Sequence, residues 1–280
     1  LPGIPIEGGE GVGRVTRPGL DQPVGAAAIN RVPRRMIEQQ VQQVCDELGY
    51  NGGVEVRICI PGGRETAQKT FNPQLGVEGG LSILGTSGIV EPMGEQALVD
   101  TIAVELRQTA ALGSKRLLLT PGNYGEDFLR ESSLSADVPV VKCSNFIGDA
   151  LDIAGTHPFE EVLLVGHIGK LVKVAGGVMN THSRYADCRT ELVCAHAAVC
   201  GASQAVCTAL LQAATTDACI EVFDSARLRQ PVLDRLLDAI QRHLEHRAGG
   251  KYRVGAVLFS NQYGLLGQTR TAKEIMESWK

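Results

Sequence analysis

Glu161-Val162-Leu163-Leu164-Val165-Gly166-His167-Ile168-Gly169-Lys170 is the stretch that decides how the rest of the chain is read. An unbroken aliphatic run closed by glycine predicts a strand with both faces buried. Strands of that kind belong to parallel sheets covered by helices. The continuation, from Gly166 to Tyr185, sets His167, Lys170, Lys173, His182 and Arg184 among further glycines. Glycine lets a backbone approach a ligand closely. The cations suit a ligand that carries carboxylates or phosphates.

Working outward, the same pattern repeats upstream. Leu81-Ser82-Ile83-Leu84 ends in Gly85-Thr86-Ser87-Gly88. Arg116-Leu117-Leu118-Leu119-Thr120 ends in Pro121-Gly122-Asn123-Tyr124-Gly125, and the strand over 138–143 ends in Ser144-Asn145. Helices are predicted between them over 95–112, 126–131 and 146–154. Alternating strands and helices give a parallel sheet whose ligands bind beyond the carboxyl ends of the strands. All four strand ends are small, polar or glycine-rich, and together they point to a site. Any one of them alone also suits an ordinary turn or cap.

The flanks read differently. Pro33 opens a helix carrying Met36, Ile37, Val41, Val44 and Leu48 at helical spacing, and 54–60 alternates as a half-wet strand. Beyond the sheet come a long alanine-rich helix over 191–214, a second over 231–248, a strand over 252–259 and a last helix over 271–279. The expected architecture combines α/β and α+β. A Rossmann-like parallel-sheet domain, 85–214, carries the cofactor, and is inserted in or follows a two-layer α+β domain formed by 1–84 and 215–280.

Composition narrows the function classes. The 280 residues are 44% hydrophobic but only 4% aromatic, so the cores must be aliphatic. The net charge of −4 comes without a basic patch, which argues against nucleic acid. No apolar run approaches the ~18 residues of a membrane helix. Of the eight cysteines, Cys45, Cys59 and Cys143 lie in apolar helix or strand patterns and Cys194, Cys200 and Cys207 on one predicted helix, and no Cys-x-x-Cys pair occurs. They read as reduced thiols of a cytoplasmic protein and not as a zinc site or a disulfide frame. No protein-bound metal is expected.

His167 and His182 are the candidates for proton transfer, since histidine titrates near neutral pH; a structural, hydrogen-bonded histidine is the alternative for each. Arg14, Arg17, Arg31, Arg34 and Arg35 crowd a proline-rich entry, where they either hold a polyacid or form a solvated basic face. Gly8-Gly9-Glu10-Gly11-Val12-Gly13 follows no convincing strand and reads as a loop and not a dinucleotide fingerprint.

The long motifs then resemble one family. Gly8-Gly9-Glu10-Gly11-Val12-Gly13-Arg14-Val15-Thr16-Arg17-Pro18-Gly19-Leu20 is similar to the signature of the CbiD family. The similarity continues through 28–37, 85–93, 142–148 and 166–187. The family usually opens with a segment bearing a Thr-Thr-Gly-Thr/Ala-Cys-Ala-like motif ahead of the region with which this chain starts, so truncation or loss of that segment is expected. The resemblance implies transfer of a methyl group from S-adenosylmethionine to C1 of cobalt-precorrin-5B, giving cobalt-precorrin-6A. A non-catalytic scaffold for tetrapyrrole intermediates is the alternative. Under the first reading Gly85, Thr86, Ser87, Gly88, Gly122, Asn145, Gly148, Asp149 and Gly166 hold the methyl donor. Arg17, Arg34, Arg35, Lys170, Lys173 and Arg184 hold carboxylates of the cobalt-containing corrinoid, and His167 or His182 moves a proton. Neither a nucleic acid nor a membrane is an expected partner, and a homo-oligomer is compatible.

Overall fold

The computed structural model describes residues 3–70, 72–73, 75–84, 94–131 and 138–279. The chain divides once, into Leu1–Leu98 and Val99–Lys280.

The first unit is built from very short strands. β1 (Ile6–Gly8) pairs in parallel with β3 (Val56–Ile58), and β2 (Arg14–Val15) pairs antiparallel with β4 (Val77–Glu78). α1 (Arg31–Glu47) and α2 (Gly63–Ala67) complete it. Its cores are small: Ile6, Val12, Ala27 and Ile29 in one, Val15, Ala28 and Val77 in the other. The expected apolar face of α1 is not the buried one. Ile37 packs on the core, whereas Met36, Val44 and Leu48 are exposed. The expected strand over 81–84 makes only single bridges, Leu81 to Val12 and Ile83 to Ile29.

What fixes this unit is backbone packed on backbone at Gly11. The Gly11 carbonyl accepts from Leu81 N–H at 2.9 Å. Cβ atoms placed on Gly63 and Gly80 would lie 2.4 and 2.3 Å from that same oxygen, and one on Gly11 would lie 1.9 Å from the Ile60 carbonyl oxygen. The glycine-rich segment is thus the meeting point of three loops.

The second unit holds α3 (Glu95–Ala111, whose first turn contains the division), β5 (Arg116–Thr120), α4 (Asn123–Glu131), β6 (Val140–Lys142), α5 (Ile147–Ala154) and β7 (Glu161–His167). Then follow α6 (Ile168–Val174), α7 (Arg189–Val199), α8 (Gln204–Leu211), α9 (Thr216–Ser225), α10 (Arg229–Ala248), β8 (Arg253–Ser260), β9 (Gly264–Gln268) and α11 (Arg270–Ser278). Five strands form one mixed sheet in the order β6-β5-β7-β8-β9, parallel except for β9.

Successive strand residues face opposite ways, so each aliphatic strand feeds two cores. Leu117, Leu119, Val162, Leu164, Val254, Ala256 and Leu258 face the large core shared with α3, α5–α7, α9 and α10. Leu118, Leu163, Val165, Val257 and Phe259 face Leu129 of α4 and Ala272 of α11. α11 crosses β8 where a side chain is missing: a Cβ on Gly255 would lie 2.3 Å from the Ala272 nitrogen. Gly255→Ala is therefore expected to lower stability by about 1–3 kcal/mol through overpacking, measurable as a lower thermal midpoint.

Three sequence expectations are corrected. Residues 215–280 do not return to the first domain, because β8 pairs with β7 over seven positions, from Glu161↔Arg253 to His167↔Phe259. Pairing with an aliphatic parallel strand buries Val254, Ala256 and Leu258 on a face already covered by helices. The single helix expected over 191–214 is two. Gly201 at φ +89° ends the first, the Ser203 side chain accepts from Val206 N–H to start the second, and Cys194 Sγ then lies 3.7 Å from the Cys207 carbonyl oxygen. The run after Gly166, expected to offer its glycines and cations to a ligand, instead forms a helix, α6, because Ile168, Leu171, Val172 and Val174 reach the large core.

Candidate functional site

From β5 the chain crosses to β6 on one side, and then to β7 on the other. Reversals of this kind leave a crevice beyond the carboxyl ends of the two diverging strands. Here those ends are Thr120-Pro121-Gly122 and Gly166-His167, with Ser144-Asn145 at the end of β6 beside them. Three of the four strand ends singled out in the sequence therefore share one edge of the sheet. The fourth, Gly85, Thr86, Ser87 and Gly88, lies outside the described residues.

Each loop is shaped by a specific constraint. Gly122 sits at φ +113°, and Gly125 leaves room for the Thr120 hydroxyl, which would lie 1.6 Å from a Cβ there. Ser144 holds φ +51°, a left-handed conformation that a non-glycine residue adopts at about 1–2 kcal/mol. That turn presents the Asn145 carbonyl to Thr181 N–H at 2.9 Å, while Asn145 Oδ1 accepts from the Thr181 hydroxyl at 3.3 Å.

Lys170 is the distinctive group at the crevice. Its ammonium is half-buried beside Gly122, 3.4 Å from where a Cβ would stand, and it makes no hydrogen bond or ion pair with the described residues. Burial lowers its pKa, and the neighbouring Lys173 charge acts in the same direction. Beneath it, the wholly buried Cys143 thiol is pushed up to about 12 by desolvation and stays neutral. A lone cation in a crevice at a chain reversal is an anchor for an anion.

Lys173 does something else. It is 3% exposed, donates to the Thr181 carbonyl at 3.0 Å, and lies 3.9 Å from Asp187 Oδ1. It ties the 181–187 segment onto α6 and is not free to meet a ligand. Arg184, carried by that segment, is exposed and lies over the Tyr185 ring at 5.1 Å.

The two histidines are both hydrogen-bond acceptors at Nδ1. His167 Nδ1 accepts from Gly169 N–H at 3.0 Å, capping α6, and His182 Nδ1 accepts from Arg184 N–H at 3.2 Å. In the neutral ring the proton is then on Nε2, which makes each a donor toward its surroundings and not a ready base. Burial lowers the His167 pKa, only partly opposed by Asp217, and so favours that neutral form.

Two predicted cofactor glycines serve packing. Gly166 leaves room for Leu171, whose Cγ would be 2.8 Å from a Cβ, and Gly148 does the same for Met179 and donates its N–H to the Met179 carbonyl at 3.0 Å. Asp149 is half-buried in the first turn of α5.

In the first unit, Arg34 is consumed by the fold. Its guanidinium donates to the carbonyls of Ile29, Ile6 and Ala27 at 2.9, 2.5 and 3.4 Å, which removes it from the substrate residues. Arg35 is exposed, and the stem of Arg17 lies over Gly76. A groove of about 770 Å³ runs along Gly9, Gly11, Gly62 and Gly79, flanked by Arg14 and Arg64 but also by Glu10, Glu65 and Glu78. Its charges are mixed.

Sequence reading missed a second depression on the sheet's carboxyl edge. Tyr124, Asp127 and Phe128 of α4 meet Phe259, Ser260, Asn261 and Gly264 of the β8–β9 turn around a cavity of about 410 Å³. Phe128 stacks on Phe259 with ring centroids 4.4 Å apart, and His167 stands edge-on to Phe259 at 5.7 Å. Only Tyr124, inside a singled-out strand end, carried a local signal.

Comparison with known proteins settles the family. The CbiD family model matches residues 2–92, and that of the CbiD C-terminal domain matches 180–270. A cobalt-precorrin-5B C(1)-methyltransferase of Ruminiclostridium cellulolyticum is 48% identical over 92% of this chain and 67% of its own length. The chain belongs to the CbiD family. Other CbiD relatives agree: proteins of the same name from Alkaliphilus metalliredigens and Moorella thermoacetica are 44% and 41% identical, each over 99% of this chain, and over 72% and 75% of their own lengths. A solved structure titled cobalamin biosynthesis protein (cbiD) from Archaeoglobus fulgidus is 27% identical, with a TM-score of 0.28, covering 65% of this chain and 56% of that one. No helix among the described residues of this CbiD chain is long and apolar enough to cross a membrane.

Proposed function

We propose that this CbiD chain is a C-methyltransferase that methylates C1 of cobalt-precorrin-5B in cobalamin biosynthesis, with S-adenosylmethionine as donor, in the cytoplasm. The relatives that carry this activity in their names support the reaction. The observation that carries the placement of the chemistry is Lys170, a half-buried cation without a hydrogen bond or ion pair among the described residues, at the reversal of a mostly parallel sheet. We read the second unit as the Rossmann-like cofactor-bearing layer, beginning near α3 and running to the end of the sheet.

When bound, S-adenosylmethionine supplies the methyl group as an activated sulfonium. The protein's own task is then alignment of donor and acceptor in a dry crevice. Gly122 and Asn145 shape that crevice. Lys170 takes a carboxylate arm of the corrinoid, and Arg184 offers a second cation, held in place through Lys173 and Thr181. His167, held toward its neutral form by burial, accepts from Gly169 N–H at Nδ1 and braces the start of α6. Cobalt belongs to the substrate.

The direct test supplies cobalt-precorrin-5B and methyl-labelled donor and measures label in the macrocycle together with S-adenosylhomocysteine released. Equal amounts of both are expected. Corrinoid binding with no label transferred would replace the enzyme by the scaffold reading.

A further inference from the structure

We propose that the cavity walled by Tyr124, Phe128 and Phe259 is an adenosine pocket, and that it receives the nucleoside end of the methyl donor. The proposal rests on the methyl-transfer reading and adds the place and the recognising residues. Its volume, about 410 Å³, falls within the roughly 300–1,000 Å³ of small-molecule sites.

Three kinds of group meet there, and adenosine needs all three. The first is an aromatic wall. Phe128 and Phe259 stack on each other, which fixes a rigid apolar floor. Tyr124 is 64% exposed, with its ring 6.3 Å from His167, so one aromatic face is left for a further ring to stack upon. The second is a carboxamide. Asn261 is exposed and makes no hydrogen bond with the described residues, and a carboxamide pairs both the N6 amino group and N7 of adenine. The third is a carboxylate. Asp127 is exposed, and its only ion pair among the described residues is with Arg130 at 3.4 Å through Oδ1, which leaves Oδ2 for a ribose diol.

Ser260 contributes rigidity and not recognition. Its hydroxyl donates to Asp217 at 2.8 Å and accepts from the Gln262 and Tyr263 amides at 3.1 and 3.3 Å, which locks the turn carrying Asn261. Position also favours the assignment. Phe259 pairs in register with His167, the last residue of β7, and Tyr124 follows the loop that ends β5. The pocket and Lys170 thus lie on the same edge of one sheet within one unit. His167, behind the Phe259 ring, is held toward its neutral form by burial and so adds no charge against a cationic sulfonium.

The test is calorimetric titration of the whole chain with adenosine, inosine, 2′,3′-dideoxyadenosine and S-adenosylhomocysteine. Adenosine and S-adenosylhomocysteine are expected to bind. Inosine, whose ring lacks the amino group, is expected to bind roughly tenfold or more weakly, and Asn261→Ala is expected to erase that preference. Tyr124→Ala is expected to weaken adenosine about tenfold through lost stacking. Asp127→Asn is expected to weaken adenosine but leave the dideoxy compound unchanged. All three positions are exposed, so folding should survive, and circular dichroism checks it. Phe128→Leu serves as a second wall variant.

Wild-type affinity for adenosine at all three variants would overturn the pocket, as would failure of the wild-type chain to bind adenosine. If label is still transferred in that case, only the pocket is wrong. If the wild-type chain neither transfers label nor binds S-adenosylhomocysteine with the corrinoid present, the methyl-transfer reading fails as well.

Discussion

Gly11→Ala is expected to unfold the first unit at a temperature roughly 10 °C or more below that of the parent chain. Two costs add at this position. The backbone sits at φ +74°, where an L side chain costs about 1–2 kcal/mol. The new Cβ would also stand 1.9 Å from the Ile60 carbonyl oxygen, and neither partner is a flexible side-chain end. Overpacking of that kind adds about 1–3 kcal/mol or more. A sum of roughly 2–5 kcal/mol is large for a unit of this size, in which each kcal/mol moves the midpoint by about 4–8 °C. Gly79→Ala separates the two costs, because Gly79 holds φ +79° with nothing within 4 Å. It is expected to lose only the conformational part. Equal midpoints for the two variants would show that the close approach at Gly11 carries no energy.

Lys170→Met is expected to lower kcat/KM roughly ten- to hundredfold while leaving thermal stability equal or higher. The loss corresponds to one hydrogen bond to a charged group, about 1.5–3 kcal/mol, and should appear mainly in KM. The gain follows because methionine fills the same half-buried space without an unpartnered charge to desolvate. Opposite signs for activity and stability mark a residue kept for its ligand. The pH dependence follows from the same group. Its folded pKa lies below the ordinary 10.5, so in the window between the two values the unfolded chain binds more protons. Stability from this group therefore rises with pH through that window, while affinity for a carboxylate falls. The methionine variant should show neither slope. A variant with unchanged KM, or one that melts lower with a parent-like pH profile, would remove Lys170 from the site.

The fold was legible where burial leaves a continuous mark. Leu117–Leu119 and Val162–Val165 are aliphatic without a break because both faces of their strands are covered, and that holds whatever the strand order. The three described strand-end loops share one edge because parallel strands place their carboxyl ends together. The split of 191–214 had a local signal in Gly201 and Ser203, outweighed by the alanine-rich context. The site was legible only in part. Lys170 and Lys173 look alike in sequence, three positions apart, yet one faces the crevice and the other lies under Thr181 and Asp187. Arg34 and Arg35 are neighbours, and only the first is used up on backbone carbonyls.

The sequence by itself determined the four parallel strands of the sheet and the family, and it pointed to a site at their carboxyl edge, since each is written in local runs of residues. Tertiary structure alone decided that β8 lies beside β7, that the glycines around Gly11 are spent on backbone contact, and that Tyr124 and Asp127 meet Asn261. Residues from about fifty to more than a hundred positions apart come together only when strands and loops choose neighbours, and periodicity along the chain holds no record of that choice. Whether a cation is free or tied is set by the same step, because it depends on which carbonyls and carboxylates the packed loops bring within 3–4 Å.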